Sequence, residues 1–228
     1  MRVLLEVIAT TLDDAVAAEA GGADRIEFVA DMNQDGITPD LRLIQSVKQA
    51  VSIPVYVMIR TRGGDFVYSE AEVRAMEAEA RAAGEAGADG IVTGALQRDG
   101  SVDLDATGRI VAAAGLPTTF HRAIDASSDF TRGVRQLASI PLVERVLTSG
   151  GAPSAYDGLP SLVRLCRMSP VEVMPGAGIT LENIGEIAQK TGARAIHVGS
   201  AARIPQVSTA PVSAARVRAL RAALDTAI

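Results

Sequence analysis

The stretch Glu19-Ala-Gly-Gly-Ala-Asp-Arg-Ile-Glu27 recurs in outline as Glu85-Ala-Gly-Ala-Asp-Gly-Ile91 and again as Lys190-Thr-Gly-Ala-Arg-Ala-Ile196. Each copy ends an alanine-rich segment at glycine, passes a polar residue and enters an apolar run. Glycine is the residue expected in the left-handed conformation that closes a helix. A helix-to-strand return repeated along one chain marks βα units. Outward from these returns, short β-branched runs alternate with amphipathic segments along the whole chain. Strands are predicted at Val3–Ile8, Arg25–Val29, Pro54–Ile59, Gly90–Thr93, Thr118–His121, Arg145–Leu147, Val171–Met174 and Ala195–Val198. Helices are predicted near Leu12–Ala20, Pro39–Ala50, Glu70–Ala86, Leu104–Ala114, Asp129–Ser139, Pro160–Arg167 and Leu181–Thr191, with a short final helix near 213–225. Eight such units over 228 residues come to roughly 28 residues each, close to the (β/α)8 barrel of about 250 residues. The predicted fold is therefore α/β, a TIM-barrel-like (β/α)8 barrel formed as a single domain over residues 1–228. A doubly wound sheet binding a dinucleotide would carry Gly-x-Gly-x-x-Gly after its first strand. This chain has Ala9-Thr-Thr-Leu12 there.

Local signals support the boundaries. Thr38-Pro39 offers an N-cap hydroxyl followed by proline at the first helical position. Ser69 and Glu72 stand at capping-box spacing. Between Gly150 and Gly158 the pattern is ambiguous, and Pro153 and Pro160 are expected to start two separate helical pieces.

Composition excludes several function classes. With 48% hydrophobic residues the chain can bury a sizeable core. A net charge of -5 argues against nucleic acid as a partner. The single cysteine, Cys166, excludes internal disulfides and a paired-thiolate metal site within one chain. Glu6 interrupts the N-terminal apolar run too early for a signal peptide, and no window approaches the length of a membrane span. These features predict a soluble, cytoplasmic protein with no membrane partner.

In this fold, chemistry sits at the C-terminal ends of the strands. Those ends carry Glu6, Glu27, Arg60, Arg62, His121, Arg122, Ser149, Gly176, Gly178, His197 and Ser200. A charge facing the helix layer would lie buried without water, so Glu6, Glu27, Arg60 and His121 are predicted to face the barrel mouth. That parity also turns Ile8 and Val29 inward, one layer above the two glutamates. Glu6, Glu27 and His121 are the candidate acid–base groups. Arg60, Arg62 and Arg122 are candidate anchors for an anionic substrate. His197 is read first as a core histidine bonded to a backbone carbonyl, and second as a substrate ligand. Gly176 and Gly178 precede a predicted helix in the loop after strand 7, where barrels commonly hold phosphate, and Ser149 and Ser200 extend that cradle. Asp65, on the loop after strand 3, is read as a turn aspartate.

Taken in order, these blocks resemble the CutC copper-homeostasis family from about residue 4 to 203. The resemblance rests on Gly22-Ala-Asp-Arg-Ile-Glu27, Gly36-Ile-Thr-Pro39, Arg60-Thr-Arg-Gly-Gly-Asp-Phe-Val-Tyr-Ser69, Gly87-Ala-Asp-Gly90 with Gly94, Thr119-Phe-His-Arg-Ala-Ile-Asp125, Arg145-Val-Leu-Thr-Ser-Gly150 and Met174-Pro-Gly-Ala-Gly-Ile-Thr180. It implies a TIM-barrel-like fold, a cytoplasmic setting, homo-oligomers (a dimer or higher) and a link to copper handling. Some family members carry cysteines in the first two strands that are proposed to bind Cu(I). The matching positions here are Ile8 and Val29. That departure argues against an intrinsic Cu(I) site, assigns no metal ligand and leaves the cofactor unknown. Asp35-Gly36 also replaces the family's glycine pair, and the segment after strand 8 is short. Three functions stay open: copper homeostasis, as the family name has it; an isomerase, lyase or hydrolase acting on a small anionic, phosphorylated sugar-like ligand; and a non-catalytic oligomeric scaffold.

Overall fold

A computed structural model describes residues 2–227. Strands and helices alternate as β1 (Leu4–Ala9), α1 (Leu12–Ala20), β2 (Arg25–Phe28), α2 (Leu41–Ala50), β3 (Val55–Met58), α3 (Glu70–Glu85), β4 (Gly90–Thr93), α4 (Leu104–Ala114), β5 (Thr118–Phe120), α5 (Phe130–Leu137), β6 (Val143–Thr148), α6 (Leu159–Met168), β7 (Glu172–Pro175), α7 (Ile184–Thr191), β8 (Ala195–Val198) and α8 (Ala214–Thr226). Every ladder is parallel, and pairing runs in the order β7-β6-β5-β4-β3-β2-β1-β8. The β7 and β8 edges lie against each other and nearly close the barrel. Among the described residues, no helix is long and apolar enough to cross a membrane.

Strand alternation divides the side chains into two populations. Leu5, Val7, Ile26, Phe28, Val55, Val57 and Ile91 point outward and are fully buried under the helices. Each such side chain contributes about 1.5–3 kcal/mol relative to exposure. The opposite parity turns Glu6, Ile8, Arg25, Glu27, Tyr56 and Met58 into the barrel. The register places Glu6 level with Arg25 and His197, and Ile8 level with Glu27. The two glutamates therefore lie in different layers. The stagger between neighbouring strands lifts Glu27 one step toward the mouth, a displacement that a parity argument alone does not contain.

Most local signals act as expected. The Ser69–Glu72 capping box forms in full. Gly22, Gly87, Gly115 and Gly192 all adopt positive φ just past their helices. Thr38 behaves differently. Asp40 caps α2, while the Thr38 hydroxyl accepts from the Arg60 amide and donates to Glu79. The residues after Pro153 form turns rather than a helix, and α6 begins with Pro160 in its first turn. Helix α7 starts at Ile184, because Asn183 accepts from the Thr180 amide and holds the intervening residues as a turn.

Candidate functional site

Strand ends β1, β2, β3, β5, β6 and β8, with their following loops, enclose a cavity of about 690 Å³ at the mouth. Glu27, Arg60, His121 and His197 reach it from the strands and strand ends, and Arg122, Asp125 and Phe66 from the loops. Met58, Met32, Ile8 and Leu147 make the apolar part of the wall.

Beneath the cavity, Glu6 is 0% exposed and forms a buried ion pair with Arg25. Its other oxygen lies 2.7 Å from His197 Nδ1. Burial alone would favour the protonated acid. The Arg25 charge, the His197 hydrogen bond and the His197 charge outweigh it and hold the Glu6 carboxyl down at about 2. Glu6 is thus a permanent anion below the mouth. Arg25 also lies over the Tyr56 ring, 4.7 Å from its centroid, and reaches Met174 Sδ at 3.4 Å.

Glu27 has the opposite character. It is 3% exposed and reaches the cavity wall, and its Oε1 has no hydrogen-bond partner among the described residues. Burial, reinforced by the Glu6 charge and opposed by His197 and Arg25, pushes this carboxyl up to about 7. Its Oε2 lies 3.7 Å from His197 Nε2. Burial disfavours the His197 imidazolium, but the charge of Glu27 and the bond and charge of Glu6 hold the ring above its ordinary value. Glu6, His197 and Glu27 therefore form a chain in which one carboxylate orients an imidazole and the imidazole faces a second carboxyl near its own midpoint. Such a chain can take up and return a proton at neutral pH.

His121 is held as a neutral imidazole rather than as the cationic acid. Burial, with the Arg60 charge adding to it, lowers the ring to about 3, so it is neutral at pH 7. Its Nδ1 accepts from the Ala123 amide at 3.2 Å, which assigns the ring proton to Nε2. Nε2 has no partner among the described residues. The ring packs 5.1 Å from Phe66 and 5.9 Å from Phe120, centroid to centroid. It is seated against Gly94, where a Cβ would fall 2.8 Å from His121 Nδ1. Arg60 is spent largely on structure: its terminal nitrogens donate to the carbonyls of Gln34, Asp35, Gly36 and Gly64, while its Nε has no partner among the described residues.

The remaining expected residues divide. Arg122 lines the cavity and pairs with Asp125. Ser149 is buried and donates to Asp125, while Arg62 is engaged by Glu72 and Asp65 away from the cavity wall. Asp65 accepts from the Val67 amide, as a turn aspartate does. Gly176, Gly178 and Ser200 lie off the wall. The Gly176 amide is taken by the Thr148 carbonyl, and a Cβ there would fall 2.5 Å from Leu147 Cδ1. At Gly178, in the left-handed region at φ 65°, a Cβ would strike Ser154 at 2.7 Å. These glycines pack the loop after β7 against its neighbours.

Sequence reasoning passed over Arg25 and Asp125. Arg25 carried a signal: it stands two residues before Glu27 on one strand and so shares its parity. Asp125 carried none. It accepts from the Ser149 and Gly151 amides and the Thr148 hydroxyl, across a gap that only the folded chain closes.

The first two strands carry no thiolate for Cu(I). Ile8 and Val29 place hydrocarbon where a thiolate would be needed, and Val29 packs with Tyr56, Met58 and Val92. Cys166 lies on α6, by the groove at the start of β7, where burial pushes its thiol up to about 11. Glu6, Glu27 and His197 are close enough together to hold an ion. They are hard donors, however, and Glu6 is already committed to Arg25 and His197.

The CutC family model matches residues 3–202. The human protein named copper homeostasis protein cutC homolog is 45% identical over 197 residues, which cover 85% of this chain and 72% of that one. A CutC family protein of Xanthomonas axonopodis pv. citri is 42% identical over 209 residues, covering 88% and 86%. The crystal structure of CutC from Streptococcus agalactiae superposes with a TM-score of 0.80 at 31% identity, covering 86% of this chain and 97% of that one.

Proposed function

The chain belongs to the CutC family, and we propose that it acts as an acid–base enzyme on a small anionic substrate in the barrel mouth. The observation that carries this reading is Glu27: a buried carboxyl on the cavity wall, held near neutrality, with one oxygen unpartnered and the other facing His197. A structural ion pair would drive the carboxyl well below its ordinary value, as happens at Glu6. Glu27 exchanges the proton, His197 adjusts its charge, and Glu6 orients His197. Arg122 and the Arg60 guanidinium supply the positive field that favours an anion such as a phosphorylated, sugar-like molecule. The family resemblance extends the proposal to a cytoplasmic homo-oligomer.

A second reading takes up the relatives' name, copper homeostasis. The Met32 and Met58 thioethers on the cavity wall favour it, since such sulfur suits Cu(I). One pair of experiments separates the two. Thermal-shift screening against phosphosugars and small carboxylates is expected to find a stabilising ligand whose effect disappears in Glu27→Gln with the fold intact. Cu(I) titration under reducing conditions is expected to show no stoichiometric submicromolar binding. The reverse pair of results would replace the enzyme with the copper protein.

A further inference from the structure

The mouth also carries two hydrogen-bond donors without a partner among the described residues: Arg60 Nε, just past the end of the strand that neighbours Glu27's, and His121 Nε2, two strands further round. Both side chains are almost wholly buried, His121 at 4% and Arg60 at 2% exposure, and both belong to the cavity wall. A buried donor left unpaired costs about 1–3 kcal/mol. Two such donors on one wall, beside Phe66 which both contact, are a preorganised site for an acceptor. Neither can take a proton from a ligand: the His121 ring is neutral with its proton on Nε2, and Arg60 is a fixed cation. The wall is therefore built to donate hydrogen bonds to an oxygen, and to one that gains negative charge as a reaction proceeds.

We infer that His121 and Arg60 form a carbonyl-binding subsite, and that the substrate is an α-hydroxy aldehyde or ketone whose α-proton is moved by Glu27. This rests on the acid–base reading of Glu27 and names its substrate class. The Glu27 carboxylate takes the proton from the α-carbon. The C–H electron pair becomes the C=C bond of an enediolate, and the carbonyl π pair moves to oxygen, where the His121 and Arg60 N–H groups hold it. Glu27 then returns the proton to the neighbouring carbon from the same face, while the α-hydroxyl proton passes directly to the adjacent former carbonyl oxygen, and the product is the aldose–ketose isomer. The cycle needs no oxidant, reductant or second substrate. A neutral imidazole donating to a carbonyl opposite a glutamate base is an established pairing for this chemistry.

The test is solvent-deuterium exchange followed by proton NMR. The intact protein is incubated in D2O with glycolaldehyde, dihydroxyacetone and their phosphate esters, and the α-proton signal is followed. The wild type is expected to wash deuterium into the α position of at least one of the four, and Glu27→Gln to abolish it. His121→Phe, which keeps a ring against Phe66 but removes the donor, is expected to slow exchange by about 10²–10³-fold at unchanged circular dichroism. His121→Gln, which restores an N–H donor, is expected to recover part of the rate, guarding against a merely structural effect. Glu27-dependent exchange at the wild-type rate in His121→Phe would overturn the carbonyl subsite and spare the acid–base enzyme. No Glu27-dependent exchange with any of the four compounds would overturn the substrate class. Ligand-induced stabilisation in the thermal-shift screen, read separately, then decides whether the acid–base reading falls with it.

Discussion

Replacing Arg25 by methionine tests the buried charge layer on which the mouth is built. Arg25 is 3% exposed, and its guanidinium is the largest of the influences that keep the fully buried Glu6 ionised. In the wild type the Glu6 carboxyl sits at about 2 against an ordinary 4.5. A folded value below the unfolded one contributes stability that is fully present above 4.5 and lost as pH falls through about 2. At 1.36 kcal/mol per pH unit that contribution is about 3 kcal/mol. In Arg25→Met, burial is opposed only by the hydrogen bond and charge of His197, and the carboxyl rises. The thioether fills part of the arginine volume, so the dominant loss is the unpaired charge, about 3–5 kcal/mol at pH 7. Urea unfolding at pH 7, repeated from pH 5 to 2, checks both parts. The midpoint should fall at pH 7, and the acid-side slope should shrink or reverse. A loss under about 1 kcal/mol with the acid limb unchanged would refute a charge layer organised by Arg25.

Glu27→Gln is expected to behave oppositely, because Glu27 is raised. Its folded value of about 7 against 4.5 means that wild-type stability falls as pH rises through that window, so the variant should gain up to about 3 kcal/mol on the wild type between pH 4.5 and 8 in paired urea unfoldings. Asp125→Ala removes the acceptor shared by Ser149, Gly151, the Thr148 hydroxyl and Arg122, and should cost about 2–3 kcal/mol while speeding amide hydrogen exchange at residues 149–151. Gly158→Ala places a Cβ 1.8 Å from the Ser149 carbonyl oxygen, so it should lower thermal stability far more than Gly115→Ala, whose Cβ meets nothing within 4 Å.

The barrel was legible because the signals that specify it are local. Period-2 strands, the glycines that close helices at Gly22, Gly87, Gly115 and Gly192, and the Ser69–Glu72 box each act within a few residues. Boundaries failed where a distant partner competed. Thr38 is recruited by the backbone of Arg60 rather than capping α2, and Asn183 delays α7. The site was half legible for the same reason. Parity placed Glu6, Glu27 and His121 inward, but the stagger between strands decides that Glu6 is buried below and Glu27 opens on the cavity. Whether a carboxyl is an ion or a proton carrier depends on neighbours from other strands, Arg25 for one and the apolar wall for the other. The role of His121 turned on the Ala123 amide, which fixes its tautomer. The glycines after β7 carry the sequence of an anion cradle, but at Gly176 the amide is already spent on Thr148.

The most direct test of the account is the ionisation of Glu27 itself. Carbon-13 NMR of the side-chain carboxyls, with Glu27 assigned by its absence in Glu27→Gln, follows the titration from pH 4 to 9. The account predicts a Glu27 midpoint near 7 that shifts when His197 is replaced by glutamine. A midpoint at or below 4.5, unmoved by that replacement, would make Glu27 an ordinary buried anion and contradict the acid–base function.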